Sequence, residues 1–132
     1  MKIKSRTIAE PGILEKERLV LDVVQDDDIG AYVVFCTALV EPKTPTVSTA
    51  IKRLYWFPDK PVKKGDVVVL YSKKGAQSEK LNDDKSTSHF FYWGLSEPSW
   101  LEENKAAAVV AHLDDWETVK LPERVAKTGT SE

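Results

Sequence analysis

The stretch Tyr55–Tyr71, YWFPDKPVKKGDVVVLY, constrains the fold of this 132-residue chain more than any other. Its aromatic residues are interrupted at Phe57-Pro58, and a turn at Gly65-Asp66 leads into the β-branched run Val67–Tyr71. Proline ends a strand because it cannot donate a ladder hydrogen bond, and glycine supplies the turn geometry. We expect a strand that is apolar on both faces, as Val67–Tyr71 is, to be covered on both faces or to lie in the middle of a sandwich. The stretch therefore predicts a multistranded β domain.

The rest of the chain repeats this pattern of apolar runs between turn residues. The β-rich runs Arg18–Val24 and Ala31–Val40 flank the cluster Gln25–Gly30, which predicts a β-hairpin. A proline-containing loop, Glu41–Pro45, precedes Val47–Phe57, whose β-branched and aromatic residues predict another strand. About seven or eight such strands, with a turn signal every ten or so residues, indicate an antiparallel sandwich or barrel.

The second half of the chain contains a polar stretch, an aromatic run and one ambiguous segment. Ser72–Ser88 has few hydrophobic residues, which predicts a long surface loop that is either functional or disordered. The aromatic residues of His89–Leu95 either pack in the core or form an exposed binding surface. Ser99–Trp116 is compatible with a helix, from its capping-box spacing and alanine content. It is also compatible with a strand, Ala106–Leu113, that has Trp116–Leu121 as its hairpin partner.

These segments predict one domain with two peripheral ends. Residues 1–17 mix isolated apolar residues with charges, and we expect an arm that can supply one edge strand. Residues 18–121 form the predicted β-sandwich domain, and residues 122–132 a flexible polar tail. A chain of 132 residues is long enough to bury a core without disulfide bonds.

The composition is typical of a soluble globular protein. The chain is 42% hydrophobic and 30% charged, with a formal net charge of −2. A domain that depends on phosphate contacts usually carries a basic excess, so nucleic acid is disfavoured as the main partner. No unbroken apolar segment precedes Glu10 and Pro11. We therefore expect no signal peptide, no membrane span and a cytoplasmic location.

The titratable residues form no recognisable catalytic or metal-binding pattern. Cys36 is the single cysteine and lies in an apolar run, which predicts a buried thiol without a disulfide. His89 and His112 lack a third partner at ligand spacing. Asp26–Asp28 lacks the alternating spacing of a calcium loop, so we expect a solvated turn. The sequence therefore predicts a protein that is not an enzyme and that needs no metal and no cofactor.

One motif resembles a known family, the globular tail domain of the nuclear lamins. The matching residues are Tyr55-x-Phe57-Pro58-x-Lys60 followed by Lys63-x-Gly65-x-Val67-Val68-x-Leu70. Later pieces follow the family's order over roughly residues 50–121, including an aromatic strand ending in Trp93, then Ser99-Trp100, then Ala107–Leu113. The resemblance implies an all-β, immunoglobulin-like antiparallel β-sandwich of about seven to nine strands. It also favours strand over helix in Ser99–Trp116.

The chain departs from the lamins in ways that separate it from nuclear filaments. No heptad-rich rod precedes the domain, no prenylation signal follows it, and Ser72–Ser88 is more charged than the family's counterpart. We therefore interpret it as a free-standing, prokaryotic or phage-type relative. What the resemblance implies is a non-catalytic module that binds proteins.

The leading functional hypothesis is binding of a protein partner, through a sheet edge or through the segment 72–93, with homo-oligomerisation as one form of it. One alternative is a small-ligand-binding or enzymatic β domain that uses the Phe90–Trp93 cluster. Another is single-stranded nucleic acid, bound through Lys52-Arg53, Lys60, Lys63-Lys64 and Lys73-Lys74 with Tyr55 and Trp56 nearby. The candidate binding residues are Lys73, Lys74, Tyr92, Trp93 and Trp100.

Overall fold

A computed structural model describes residues 1–41, 44–48 and 50–124 of the chain. Within these residues the protein is all-β, with eleven strands and two short 3-10 turns, Ile29–Ala31 and Glu102–Asn104. The described part contains no helix long and apolar enough to span a bilayer. The strands are β1 (Ile3–Ala9), β2 (Arg18–Val23), β3 (Asp27–Asp28), β4 (Tyr32–Glu41), β5 (Thr44–Val47), β6 (Arg53–Trp56), β7 (Pro61–Val62), β8 (Val67–Tyr71), β9 (Ser78–Leu81), β10 (Thr87–Tyr92) and β11 (Ala106–His112).

The first sheet has the strand order β1-β2-β8-β10-β9. Its central strand is β8, and Val68 and Leu70 on the inner side of this strand are buried. β8 pairs in parallel with β10, whereas the other neighbours in this sheet are antiparallel. The predicted antiparallel sandwich therefore includes one parallel pair, because the excursion through β9 reverses the chain before β10.

The second sheet is built around β4, the longest strand. β11 pairs with one side of β4, while β5 and β6 pair with successive parts of the other side. A small third sheet pairs β3 with β7. Each of these two strands lies in a connection between the two main sheets, β3 between β2 and β4 and β7 between β6 and β8.

The core lies between the two main sheets and confirms the predicted sandwich. Alternate residues of each strand point inward, as the pleat requires. The buried apolar residues of this core are Ile3, Leu19, Leu21, Val23, Ile29, Tyr32, Val34, Cys36, Phe57, Val62, Val68, Leu70, Phe91 and Trp100.

The predicted hairpin between Arg18–Val24 and Ala31–Val40 is wrong, because these strands belong to different sheets. The connecting segment crosses from one sheet to the other. Asp28 caps the first 3-10 turn by accepting a hydrogen bond from Gly30 N, and Ile29 inserts fully into the core. The aspartates therefore hold a crossover instead of a free solvated turn.

The single predicted strand Val47–Phe57 is two strands, β5 and β6, and the segment between them keeps hydrogen bonds to β4, from Ser48 N to Ala38 O and from Lys52 N to Cys36 O. The Thr37 hydroxyl is placed to donate to the carbonyls of Ser48 and Ala50, which holds that segment against β4. Thr44 and Pro45, predicted as loop, belong to β5. The neighbouring Pro42-Lys43 of that predicted loop lies outside the described residues.

The ordered fold begins before the predicted boundary at Arg18. The arm supplies the edge strand β1, which pairs with β2 through a bulge between Ser5 and Thr7. Ile3 is fully buried, so this strand belongs to the core of the domain.

The predicted loop Ser72–Ser88 contains a strand, β9, whose four residues are all exposed at the edge of the first sheet. It escaped prediction because the sequence SEKL has no apolar alternation. The ambiguous segment Ser99–Trp116 contains β11, so strand is correct there and helix is wrong. The proposed hairpin partner Trp116–Leu121 forms no strand. Of the predicted tail, residues 122–124 are exposed and residues 125–132 lie outside the described part.

Candidate functional site

The five predicted binding residues do not form one site. Trp100 is only 2% exposed and belongs to the core. Trp93 is half-buried and packs against Tyr55 and Trp100, with ring centroids 5.8 and 6.1 Å away. Tyr92, Lys73 and Lys74 belong to a different part of the molecule, the outer side of the first sheet and the loop after β8. The tryptophans therefore stabilise the fold, and the other three residues lie at its surface.

Tyr92 and Lys73 take part in a stack that crosses neighbouring strands. The ring of Tyr92 is parallel to that of Tyr71, its register partner, at a centroid distance of 5.4 Å. The Arg18 guanidinium and the Lys73 ammonium lie 5.9 and 5.1 Å from the Tyr71 centroid, within cation–π range. Gly75 lies so close to Tyr92 that a Cβ there would be 2.4 Å from Cδ2. The rings are thus largely occupied by contacts within the protein.

The outer side of the first sheet carries charged side chains around an apolar and aromatic centre. Arg6 forms an ion pair with Asp22, and Arg18 lies 3.7 Å from a carboxylate oxygen of Glu10. Lys4 and Lys80 are exposed at its opposite edges, on β1 and β9. Val20 and Val69, which are register partners, are only 9% and 7% exposed, so the centre of this surface offers little open apolar area.

The outer side of the second sheet has a different chemistry, and we refer to it as the apolar face. Register places Trp56 beside Val33 and Leu54 beside Phe35 on one side of β4. On the other side of β4, Ala111 lies beside Val33 and Val109 beside Phe35. The apolar face consists of Val33, Phe35, Leu54, Trp56, Ala107, Val109, Ala111 and Trp116.

Several side chains of the apolar face are open to solvent. Leu54, Trp56 and Trp116 are 49%, 45% and 49% exposed, respectively. Trp116 meets Trp56 edge to face, with ring centroids 5.4 Å apart and an interplanar angle of 83°. Val33, in the middle of the face, is only 3% exposed, so the open area lies mainly at these three side chains. Contiguous exposed apolar surface of this kind marks interaction sites in soluble proteins.

The indole ring of Trp56, on the apolar face, is held in place by a hydrogen bond to the backbone. Its Nε1 donates a 2.7 Å hydrogen bond to the carbonyl of Gly30. Gly30 is buried at the crossover, where a Cβ would lie 2.0 Å from Asp59 Oδ1 and 2.7 Å from Asp59 Cα. Glycine is therefore required to bring the backbone close enough to anchor the indole. A preorganised aromatic ring loses little entropy on binding, which is a property of interface hot spots.

The rim of the apolar face is polar, with charges of both signs. Lys52 precedes β6, Lys105 precedes β11, and Asp114 and Asp115 follow β11, all exposed. An apolar centre with a charged rim is the usual anatomy of a protein–protein interface. This arrangement can bind a complementary apolar surface by excluding water from the centre, while the charged rim sets the orientation of the partner.

The most buried titratable pair is Asp66 with His89, whose Nε2 lies 2.8 Å from Asp66 Oδ2. Burial alone would raise the pKa of Asp66, but hydrogen bonds from His89, Thr87 N and Lys63 N lower it below its usual value. The His89 side chain is only 6% exposed, and its Nδ1 has no hydrogen-bond partner among the described residues. The pair fixes the turn before β8 and is not accessible to a substrate.

The Cys36 thiol is 2% exposed and lies 3.4 Å from the carbonyl of Ser99. Burial raises the pKa of this thiol, so it is held in the unreactive protonated form. Among the described residues, no group of three or more His, Cys, Asp or Glu is placed to hold a metal ion.

In the Phe90–Trp93 cluster of the ligand-binding alternative, Phe91 is fully buried, and its neighbours are partly covered. A cavity of about 340 Å³ lies beside Cys36 and Arg53, and another of about 370 Å³ beside Tyr32 and His112. The Arg53 guanidinium already donates hydrogen bonds to Ser99 Oγ and Glu97, so these donors are not free to bind a ligand in the first cavity.

Sequence reasoning identified β6 as a strand but missed that its outer face is exposed. Tyr55 and Phe57 point inward, while Leu54 and Trp56 point outward. The available signal was that both alternations of β6 are apolar. Such a strand is either covered on both sides or carries an interface, and periodicity does not distinguish the two.

Comparison with protein-family models and with curated proteins found no match to this chain. The lamin-tail resemblance therefore stays a prediction from its motif.

Proposed function

We propose that the chain is a non-catalytic protein-interaction module that binds a protein partner through the apolar face. The observation that carries the proposal is that eight neighbouring uncharged side chains cover the outer side of the second sheet, three of them about half exposed. The partner surface is expected to be apolar at its centre. The role is the one that the lamin-tail resemblance implies, but the surface differs from the predicted segment 72–93.

The energetic argument favours the apolar face over the charged side of the first sheet. Burying apolar area contributes about 25 cal/mol per Å² to the free energy of binding. Covering a partly exposed tryptophan and leucine therefore contributes several times as much as covering a solvated lysine. Exposed ion pairs such as Arg6–Asp22 contribute about 0–1 kcal/mol because water already solvates them. Trp56, held by Gly30, is the expected centre of the interface.

A photo-crosslinking experiment tests the proposal directly. A photoreactive residue is placed at Leu54 on the apolar face, or at Leu81 on β9 as the matched control, since Leu81 is also a strand leucine and is 70% exposed. In cells of the organism that encodes the chain, we expect one discrete adduct from position 54 and no matching adduct from position 81. Equal labelling from both positions, or none from position 54, would reject the apolar face as the binding surface.

Single-stranded nucleic acid is the less favoured function, for a structural reason. Bases bind to free aromatic faces beside cations. Of the two aromatic residues in that hypothesis, Tyr55 packs against the core, and Trp56 already meets Trp116 edge to face. An oligonucleotide titration at low salt measures this alternative, and we expect no saturable binding.

A further inference from the structure

The segment after β11, residues 113–124, lies against the apolar face without joining a sheet, and we refer to it as the strap. Its first residue is anchored, since Leu113 N donates a 2.7 Å hydrogen bond to Ala31 O. Beyond Leu113, no backbone–backbone hydrogen bond joins the strap to the rest of the described chain, and every residue is exposed. Val119 and Leu121 are 88% and 85% exposed, so these apolar side chains add little packing. The strap is therefore held mainly near its start.

The strap contacts the apolar face through Trp116. The ring of Trp116 meets the ring of Trp56 edge to face, at a centroid distance of 5.4 Å. The two rings are held very differently. Trp56 belongs to β6 and donates a hydrogen bond to Gly30 O, whereas Trp116 lies in a segment without strand pairing. This contact can therefore open while both sheets stay intact, as segments with few contacts do in folded proteins.

The strength of the ring contact sets how often the strap is open. An edge-to-face aromatic pair favours the paired arrangement by a factor of roughly two to ten. A minority of molecules therefore has Trp116 away from Trp56. Trp56 is 45% exposed with Trp116 against it, so opening the strap enlarges the apolar area that a partner can cover.

We propose that the strap is an intramolecular competitor of the protein partner, with Trp116 occupying the place on Trp56 that a partner side chain takes. The proposal rests on the proposed function, because it assigns a regulatory contact to the same apolar face. It also specifies the chemistry of the partner, whose contacting side chain is aromatic because it replaces an indole edge against Trp56. A partner that binds only the open arrangement has its apparent affinity lowered about three- to tenfold by the closed molecules.

Binding of the apolar dye anilinonaphthalene sulfonate tests the cover without any partner. Trp116→Ala is expected to raise the fluorescence of the bound dye about twofold or more, because it uncovers Trp56. Val119→Ala is the matched control, since it shortens an exposed apolar side chain of the same strap and should leave dye binding unchanged. Urea denaturation should give the same midpoint for both variants and wild type.

Two results of these measurements would overturn the proposal. Dye binding by Trp116→Ala that is no higher than that of Val119→Ala would show that Trp116 does not cover the face. A urea midpoint that falls clearly below the wild-type value in Trp116→Ala would show that the ring holds the fold together and does not act as a displaceable cover.

Calorimetry with the partner captured from position 54 tests the competition itself. Trp116→Ala should bind this partner about three- to tenfold more tightly than wild type. Trp116→Phe, which keeps a ring against Trp56, should stay within about twofold of wild type. Weaker binding by Trp116→Ala would make Trp116 part of the interface, and unchanged binding would make it a bystander, so either result overturns the proposal.

Failure of the proposed function has a different signature. No adduct from position 54 would reject the apolar face as the partner-binding surface, and the competition with it. Raised dye binding in Trp116→Ala would still show in that case that the strap covers Trp56. A captured partner with unchanged affinity for Trp116→Ala has the opposite meaning, because it supports the apolar face and rejects the strap as its competitor.

Discussion

At the scale of single residues, the least expected feature is the fully buried carboxylate of Glu17. It accepts hydrogen bonds from the backbone N–H groups of Gly12, Ser99 and Trp100 and from the Ser72 hydroxyl. The loops that contain these donors are far apart in sequence. Glu17 therefore joins three connections at one end of the sandwich, and no sequence pattern reveals it because charged residues are normally exposed.

Replacing Glu17 by Ala should lower the free energy of unfolding by about 3–5 kcal/mol, because it leaves buried donors unpaired. Glu17→Gln, which keeps the shape but turns an amide toward the same donors, should cost about 1–3 kcal/mol. Urea denaturation measures both values. Glu15→Ala, at a nearby exposed position, serves as the control and should change stability by less than about 0.5 kcal/mol. A Glu17→Ala protein as stable as this control would contradict the role assigned to the carboxylate.

The depressed pKa of Asp66 predicts how stability depends on pH. Because the folded-state pKa lies below the ordinary value, the charged carboxylate stabilises the fold above about pH 4. That contribution is lost as the pH falls through the folded-state pKa. The difference in unfolding free energy between wild type and Asp66→Asn should therefore be largest above about pH 4 and shrink toward pH 2. Denaturation across this range tests it, and a difference that does not vary with pH would disprove the assignment.

At the scale of elements, local patterns predicted strands well and predicted their partners poorly. β8 and β10 follow from β-branched and aromatic runs, and the turn at Gly65 has the positive φ of 93° that the sequence suggests. The cluster at residues 25–30 is equally compatible with a hairpin and a crossover. The choice is made by a distant contact, since Asp28 also accepts a hydrogen bond from Lys60 N. Sequence windows do not contain such contacts.

The crossover supports a prediction about Gly30. A Cβ at this position would collide with the backbone and side chain of Asp59, so Gly30→Ala should destabilise the fold by about 1–3 kcal/mol. It should also displace the acceptor of Trp56 Nε1 and change the tryptophan fluorescence of the folded protein. Ala31→Gly, one residue along the same turn, is the control and should cost less than about 1 kcal/mol. Wild-type stability in Gly30→Ala would show that the close approach is unnecessary.

At the scale of the whole molecule, the two outer surfaces of the sandwich differ in kind. The first sheet presents ion pairs around stacked tyrosines and two nearly buried valines, and the second presents the more open apolar face. Alternation in the sequence predicts which residues share a face, as Leu54 and Trp56 do. It does not predict which face the other sheet covers, since both alternations of β6 are apolar. The net charge of −2 does not reveal this asymmetry either, because it is a sum over both surfaces.

The most direct test of the central claim is the affinity of the partner identified through position 54, measured by calorimetry with purified proteins. Leu54→Lys should weaken binding by about 2 kcal/mol or more, because it places a charge at the centre of the interface. Leu81→Lys, on the exposed edge strand β9, should leave the affinity within about 0.5 kcal/mol of wild type. Equal affinity for wild type and Leu54→Lys, with both proteins folded, would show that the apolar face is not the binding surface.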